Sequence, residues 1–377
     1  MLRQMRNESV VAPVTADPHI LQTTITVDKI ISPIMYAFGF PGNILSCIIW
    51  LRPRMRHSSG IYLAALGFVD LTFLFLHVLF ECHTTWGIEL FDKPVWCEMV
   101  PVFFMAAQYL SPMLVLAFTV ERFIGILFPT KRQKLCTPSR ARFVSICLAI
   151  VALCLGSIQG YFYKFNERHE FCGLREEAIR GGHTSLWSIW SWITEMLIFL
   201  CVPLTILTLN IIIIKHVKRL TEFEYSCKAR AVTTTFSLLV VSFYFIITTF
   251  PVSIVYTMRY SFMPTDSQVE IDSDRQAKYM LAKVIVDEIG ITHHACKFYI
   301  FVMAEKLFRE ECVHVLTSMV TYPRRNKMGY VAQTETTVNT DWMTPEIGDR
   351  MKPEETNMWT YNHKSQTINT PSDNVRG

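Results

Sequence analysis

Across 377 residues the chain is 51% hydrophobic and only 18% charged, with a formal net charge of +4. A soluble domain carries about 25% charged residues, so length and composition together point to a membrane protein. The modest positive balance argues against nucleic acid as a partner.

The start, MLRQMRNESVVAPVTADPH, is polar and lacks the apolar core of a secretory leader. The first long apolar run therefore reads as a retained helix. Asn7-Glu8-Ser9 forms a glycosylation sequon. A bilayer core of about 30 Å needs roughly 20 helical residues, and seven segments qualify: 30–50, 61–80, 100–120, 143–163, 185–214, 231–258 and 279–303. Asp70 interrupts the second, Glu121-Arg122 follows the third, and Glu195 lies in the fifth. The seventh carries the most polar groups, among them Lys283, Asp287, His293, His294 and Lys297. Backbone polar groups cannot lie bare in lipid, so each segment is expected to be a helix.

Residues 304–319 follow with Phe308, Val313, Leu316 and Met319 expected on one apolar face, the pattern of a helix lying on the inner membrane surface. Cys312 in that stretch reads either as an acylation site or as an unmodified thiol. Beyond about 321 the chain is polar and rich in Thr, Asn, Pro and Asp, and it reads as a disordered cytoplasmic tail. The expected organisation is an extracellular N-terminus over 1–26, a helical domain over 27–320 and a tail over 321–377. Two series in the tail, Thr334, Thr337, Thr340 and Ser365, Thr367, Thr370, resemble phosphorylation patterns read by arrestins; phosphates there would add charge and acceptor atoms for basic partners.

The loops fix an orientation. Apart from the Glu121-Arg122 pair, those after the first, third and fifth segments hold thirteen basic residues against two acids, Glu222 and Glu224. Those after the second, fourth and sixth hold eight basic residues against ten acids, with Glu81 and Glu98 at the span ends besides. The basic set is expected inside and the N-terminus outside, which puts Asn7 on the side where glycosylation occurs. Eleven cysteines include no Cys-x-x-Cys pair. Cys47, Cys147, Cys154, Cys201 and Cys296 lie in apolar runs, where a buried thiol is the usual reading. Cys97 and Cys172 fall in polar outer segments and are the best disulfide candidates if that side is oxidising.

The whole set resembles the rhodopsin-like G-protein-coupled receptors. The resemblance rests on Gly42-Asn43, LGFVD ending at Asp70, Trp86 ahead of Cys97, Ser111, Glu121-Arg122-Phe123 in place of Asp-Arg-Tyr, Pro129, Pro203, Pro251 and Phe308-Arg309. It implies an all-α membrane protein, a seven-transmembrane helix bundle with an amphipathic eighth helix, in the plasma membrane. The short inner loops and CTPSRAR further resemble invertebrate neuropeptide receptors of the FMRFamide and thyrotropin-releasing-hormone type. The resemblance implies no enzyme activity and no cofactor, an extracellular peptide ligand, and a heterotrimeric G protein facing Glu121 and Arg122. It also implies a Cys97–Cys172 disulfide and an arrestin contact through the tail.

The departures from the family pattern are specific. Thr249 replaces the helix-six tryptophan, Ala149 stands near the usual helix-four tryptophan, and Ile211 stands where helix five usually has a tyrosine. Ala231 occupies the place of an acid that locks Arg122 in many relatives. Asn-Pro-x-x-Tyr appears as KFYIF, with Lys297, Phe298 and Phe301 at the three motif positions.

An ion inside a membrane helix costs roughly 2.5–3.5 kcal/mol on insertion scales, so it is expected to be paired, wet or functional. In relatives Asp70, Ser111 and the helix-seven Asn line a sodium site. Lys297 is expected to replace the ion and pair with Asp70, with Ser111 and Asn43 supplying hydrogen bonds; the competing arrangement has Lys297 snorkelling toward the inner surface. His293 and His294 point about 100° apart on a helix and cannot chelate one metal alone, so packing or hydrogen bonding is expected of them.

By the resemblance, Glu81, Glu195 and Asp287 face the ligand cavity, which suits a short cationic peptide. Phe104, where amine receptors keep an aspartate, disfavours a monoamine. Gln108, Tyr109, Tyr256 and Arg259 complete the expected contact set. The competing account is internal pairing, since Lys283 precedes Asp287 by four residues. Other readings of the chain are an atypical or chemosensory seven-helix receptor with altered activation switches, an opsin and a transporter. The opsin reading suffers because Lys297 lies near the inner end of its segment; the transporter reading lacks an internal repeat.

Overall fold

The computed structural model describes residues 18–88, 90–167, 171–181, 184–223, 229–258 and 273–319. Side chains at 18, 220–238, 257 and 273 lie outside that description, as do Asn7, Arg259, the side chain of Ala231 and both tail series. The described residues fall within the compact unit Met1–Val320.

Among the described residues seven long helices carry the fold. They are α1 (Pro18–Trp50), α2 (Ser58–Thr84), α3 (Pro94–Leu127) and α4 (Pro138–Phe162). α5 runs through Leu186–Glu195, a π-helical turn at Met196–Cys201 and Val202–Phe223. α6 is Ala229–Thr257, and α7 is broken at Cys296 into Ser273–Ala295 and Lys297–Ala304. Residues 306–319 are again helical and are called α8. Short helices at Pro129–Leu135 and Glu176–Ile179 and a hairpin, β1 (Tyr163–Asn166) against β2 (Phe171–Leu174), fill the connections.

Local chemistry starts the helices. Pro94 and Pro138 sit in the first turns of α3 and α4, where a missing N–H costs nothing. Thr137 caps α4 through Arg140 N, and Ser185 caps α5 through Ser188 N at 3.2 Å.

Several boundaries differ from the sequence-based expectation. α1 begins at Pro18, inside the stretch assigned to the N-terminus, and carries Asp28 within the helix. α3 runs on to Leu127, and Tyr163 belongs to β1 rather than to the fourth span. Six described helices are long and apolar enough to cross a membrane. α7 is not among them, because Lys278, Lys283, Asp287 and Glu288 make Ser273–Ala295 too polar; within the bundle Glu288, His293, His294 and Lys297 are buried.

Lipid is as apolar as leucine, so close packing at small residues holds such helices together. Gly156 on α4 lies against Val102 O at 2.7 Å and Ala106 Cβ at 3.1 Å on α3, measured from where its own Cβ would stand. Gly42 and Gly39 admit Phe298 and Ala295 of α7 beside α1 in the same way. Gly156→Val is expected to destabilise the protein by about 1–3 kcal/mol through overpacking, read as a lowered unfolding midpoint of the solubilised protein. An unchanged midpoint would show that α3 and α4 can separate freely. α4 is the least buried of the six helices of spanning length, with Phe143, Ile146 and Ile150 exposed.

The apolar face expected over 304–319 is corrected in α8. Phe308, Cys312 and Val315 are buried, whereas Val313, Leu316 and Met319 are exposed. The two sets form separate stripes, the first packed on Trp50 and Phe301 through Phe308. Cys312 therefore points into protein, and burial raises its thiol pKa above the ordinary value, which fits an unmodified thiol. Glu311 ties α8 to the α1–α2 turn through Arg52 Nε and Arg54 Nη1, each at 3.0 Å.

Candidate functional site

Between the helices lies a cavity of about 340 Å³ lined from α1, α2, α3, α5, α6 and α7. The hairpin sits at its mouth. Cys172 of β2 is disulfide-bonded to Cys97 of α3, and its backbone N–H donates to Asp92 Oδ1 at 2.8 Å. Register pairs Phe165 with Cys172, so the bridge anchors both strands. Tyr163 and Cys172 themselves line the cavity.

Glu81, Phe104, Gln108, Tyr109, Glu195, Tyr256 and Asp287 all line this space. Phe104 stacks with Phe73 at 5.2 Å and packs on Phe80, giving an aromatic wall. Asp287 accepts from Lys283 at 2.5 Å and from Tyr256 at 3.3 Å, so the internal pair that the spacing allows is formed. Two lining carboxylates were missed from the sequence, Asp28 and Glu288. The lining thus holds five carboxylates against one lysine, Lys283. A cavity with this balance focuses a negative potential toward its interior.

The floor is polar and layered. His293 packs on Phe245 with ring centroids 4.6 Å apart, and His294 stacks on Phe73 at 3.8 Å. Both histidines line the cavity and both reach below it. His294 Nδ1 lies 2.8 Å from Asp70 Oδ1. A carboxylate only accepts, which assigns the proton to that nitrogen. His293 Nε2 lies 3.4 Å from Ser111 Oγ.

Beneath them Lys297 Nζ donates to Asp70 Oδ1 at 2.9 Å, Asp70 Oδ2 at 2.8 Å and Ser111 Oγ at 3.1 Å. Ser111 donates in turn to Asp70 Oδ1 at 3.2 Å. Asp70 is fully buried and Lys297 is 2% exposed. Lys297 does not line the cavity and does not reach the inner surface. The break at Cys296 restarts the helix at Lys297 and so sets the side chain under α2 and α3. Asn43 departs from its expected role: Nδ2 donates to His294 O at 2.8 Å, so it holds the α7 backbone rather than the ion pair. Among the described residues no group of three or more His, Cys, Asp or Glu could hold a metal.

At the other end of α3, Glu121 is buried and accepts from Ser58 and, at 3.1 Å, from Ser59 of α2. Its neighbour Arg122 is half-buried, with Nε lacking a hydrogen-bond partner.

Helices of spanning length, a disulfide-tied hairpin over a central cavity and a buried ion pair beneath it define a multi-pass membrane protein of receptor architecture. The chain belongs to the rhodopsin family of seven-transmembrane receptors, whose family model matches residues 42–286. The match ends before Lys297. The chain is 24% identical over 182 residues to the growth hormone secretagogue receptor type 1 of Rattus norvegicus, covering 44% of this chain and 47% of that one. It is 25% identical over 249 residues to proteinase-activated receptor 1 of Bos taurus, covering 63% of this chain and 55% of that one. The chain thus spans about half the length of the curated relatives it matches.

Proposed function

We propose that this protein is a plasma-membrane receptor that binds a short cationic peptide from outside the cell and signals through a heterotrimeric G protein. The observation that carries this reading is the charge of the cavity, five carboxylates against one lysine, under a hairpin fastened by Cys97 and Cys172. A ligand shifts the balance between helix arrangements only by binding one of them better. Here His293 and His294 stand between the cavity and the Asp70–Lys297 pair, so a ligand that moves them disturbs the pair. Membership of the family and the receptor names of its relatives support the same reading, and the neuropeptide type is its narrower form.

The reading includes an outward N-terminus glycosylated at Asn7, a receptor domain over 27–320, and a cytoplasmic tail over 321–377 that recruits arrestin when phosphorylated. It also places α8 on the inner membrane surface, with Val313, Leu316 and Met319 toward lipid, and Glu121 and Arg122 at the G-protein face. A retinal-linked photoreceptor is disfavoured because Lys297 Nζ is committed to Asp70 and Ser111 outside the cavity.

The test is a neuropeptide library screened for calcium or cyclic-AMP responses in cells expressing the full chain. Peptides bearing Arg or Lys are expected to dominate the responses. Activation confined to acidic or neutral ligands, or ion flux without any G protein, would overturn the proposal.

A further inference from the structure

The cavity carboxylates are not equivalent. Asp287 is answered by Lys283. Asp28 of α1, Glu81 of α2 and Glu288 of α7 gather where those three helices meet, and all three line the cavity. Asp28 stands within hydrogen-bond reach of both glutamates. It also accepts from Thr85, while Glu288 Oε1 accepts from Ser32 at 2.7 Å.

Two oxygens of the cluster lack donors. Glu81 Oε2 and Glu288 Oε2 are buried without a hydrogen-bond partner, and Glu288 as a residue is only 5% exposed. Among the described residues no lysine or arginine forms an ion pair with any of the three. Nearby bases are engaged elsewhere: His77 Nδ1 lies 2.7 Å from Tyr36 Oη, and Lys29 lies over the Trp86 ring. Carboxyls this close hold either protons or a cation between them, and burying an acceptor with no donor is unfavourable.

We propose that Asp28, Glu81 and Glu288 form a subsite for a guanidinium group, the arginine side chain of the ligand. This rests on the cationic-ligand reading above and locates its charge contact. A guanidinium presents five N–H donors in a fixed planar fork and can bridge two carboxylates at once. An ammonium is a compact point charge and matches that spread of oxygens less well.

The experiment measures thermal unfolding of the full-length receptor in nanodiscs, with L-argininamide as probe. Its uncharged urea isostere, citrullinamide, and sodium or calcium chloride alone are the comparisons. Argininamide is expected to raise the midpoint and citrullinamide to leave it in place. Glu81→Gln and Glu288→Gln are each expected to raise the half-saturating argininamide concentration about tenfold or more, since each removes a charge-assisted contact. Their ligand-free midpoints are expected to stay level or rise, because a buried unpaired carboxylate becomes neutral, so weaker binding is separable from misfolding.

Equal effects of citrullinamide, unchanged argininamide binding in both Gln variants, or no shift with the unsubstituted receptor would each overturn the subsite. So would an inorganic cation that reproduces the shift and loses it in the same variants. Loss of argininamide binding only in Glu195→Gln or Asp287→Asn overturns the subsite while leaving the cationic-ligand reading intact. Receptor activation by acidic or neutral peptides alone overturns both.

Discussion

Replacing Lys297 with methionine while Asp70 remains is expected to destabilise the receptor by about 3–5 kcal/mol, because a buried carboxylate loses its counter-ion. Asp70 has no exposure to fall back on. Its remaining partners, Ser111 and His294, supply hydrogen bonds but not the fixed positive charge of Lys297. Asp70→Leu alone is expected to cost a similar amount by stranding Lys297. The double replacement Asp70→Leu with Lys297→Met should recover most of the loss, since an apolar pair of similar volume avoids desolvating two ions. Unfolding midpoints of the ligand-free receptor decide the matter. A double variant as damaged as the sum of the singles would show that the two side chains are not energetically coupled.

Asp70 Oδ1 and Oδ2 and Ser111 Oγ all accept from Lys297, so the oxygens that a sodium ion would need already face an ammonium. The stability and ligand affinity of the native receptor are therefore expected to be indifferent to replacing sodium with choline. Lys297→Asn should create a sodium-dependent rise in the midpoint. Sodium dependence in the native receptor that disappears in Asp70→Asn would end the tethered-cation account.

Asp70 and Lys297 were legible in the sequence because a charge in an apolar run is conspicuous and its cost demands a partner. Asp28 was hidden for the converse reason. Counting an apolar span outward stops at the first charges, so the run reads as beginning at residue 30, although α1 starts at Pro18. Glu288 was concealed beside Asp287. Adjacent helical positions diverge by about 100°, and Asp287 meets Lys283 while Glu288 meets Ser32 of α1. The same divergence separates His293 from His294, and only three-dimensional packing decides which of them reaches Asp70. The β1–β2 hairpin gave no signal because four-residue strands in a polar loop have too little alternation to register. On α8, spacing identified an apolar pattern, but choosing its buried stripe required knowing that Trp50 and Phe301 receive Phe308.

Removing the bridge, by Cys97→Ser together with Cys172→Ser, is the other change expected to have a large effect. The half-cystines are 75 residues apart, and closing loops of about 15–100 residues restricts the unfolded chain by about 3–4.7 kcal/mol. The other contacts of the hairpin are individually weaker, among them Arg175 N donating to Phe162 O at 2.8 Å and the Arg175 guanidinium over the Tyr161 ring. Asp92 still accepts the Cys172 N–H. Arg175 and Glu98 form a 3.6 Å pair that is partly open to solvent, and such pairs contribute about 0–1 kcal/mol. The damage should therefore concentrate at the mouth of the cavity rather than spread through the helices. The midpoint is expected to fall, and binding of any activating peptide to fall with it, while helical content at low temperature is retained. Substituting Cys154 or Cys201, both exposed free thiols in the spans, should do neither. If the double serine variant kept the parent midpoint and bound peptide equally well, the hairpin would be held by its other contacts and the disulfide would not be what keeps it over the cavity.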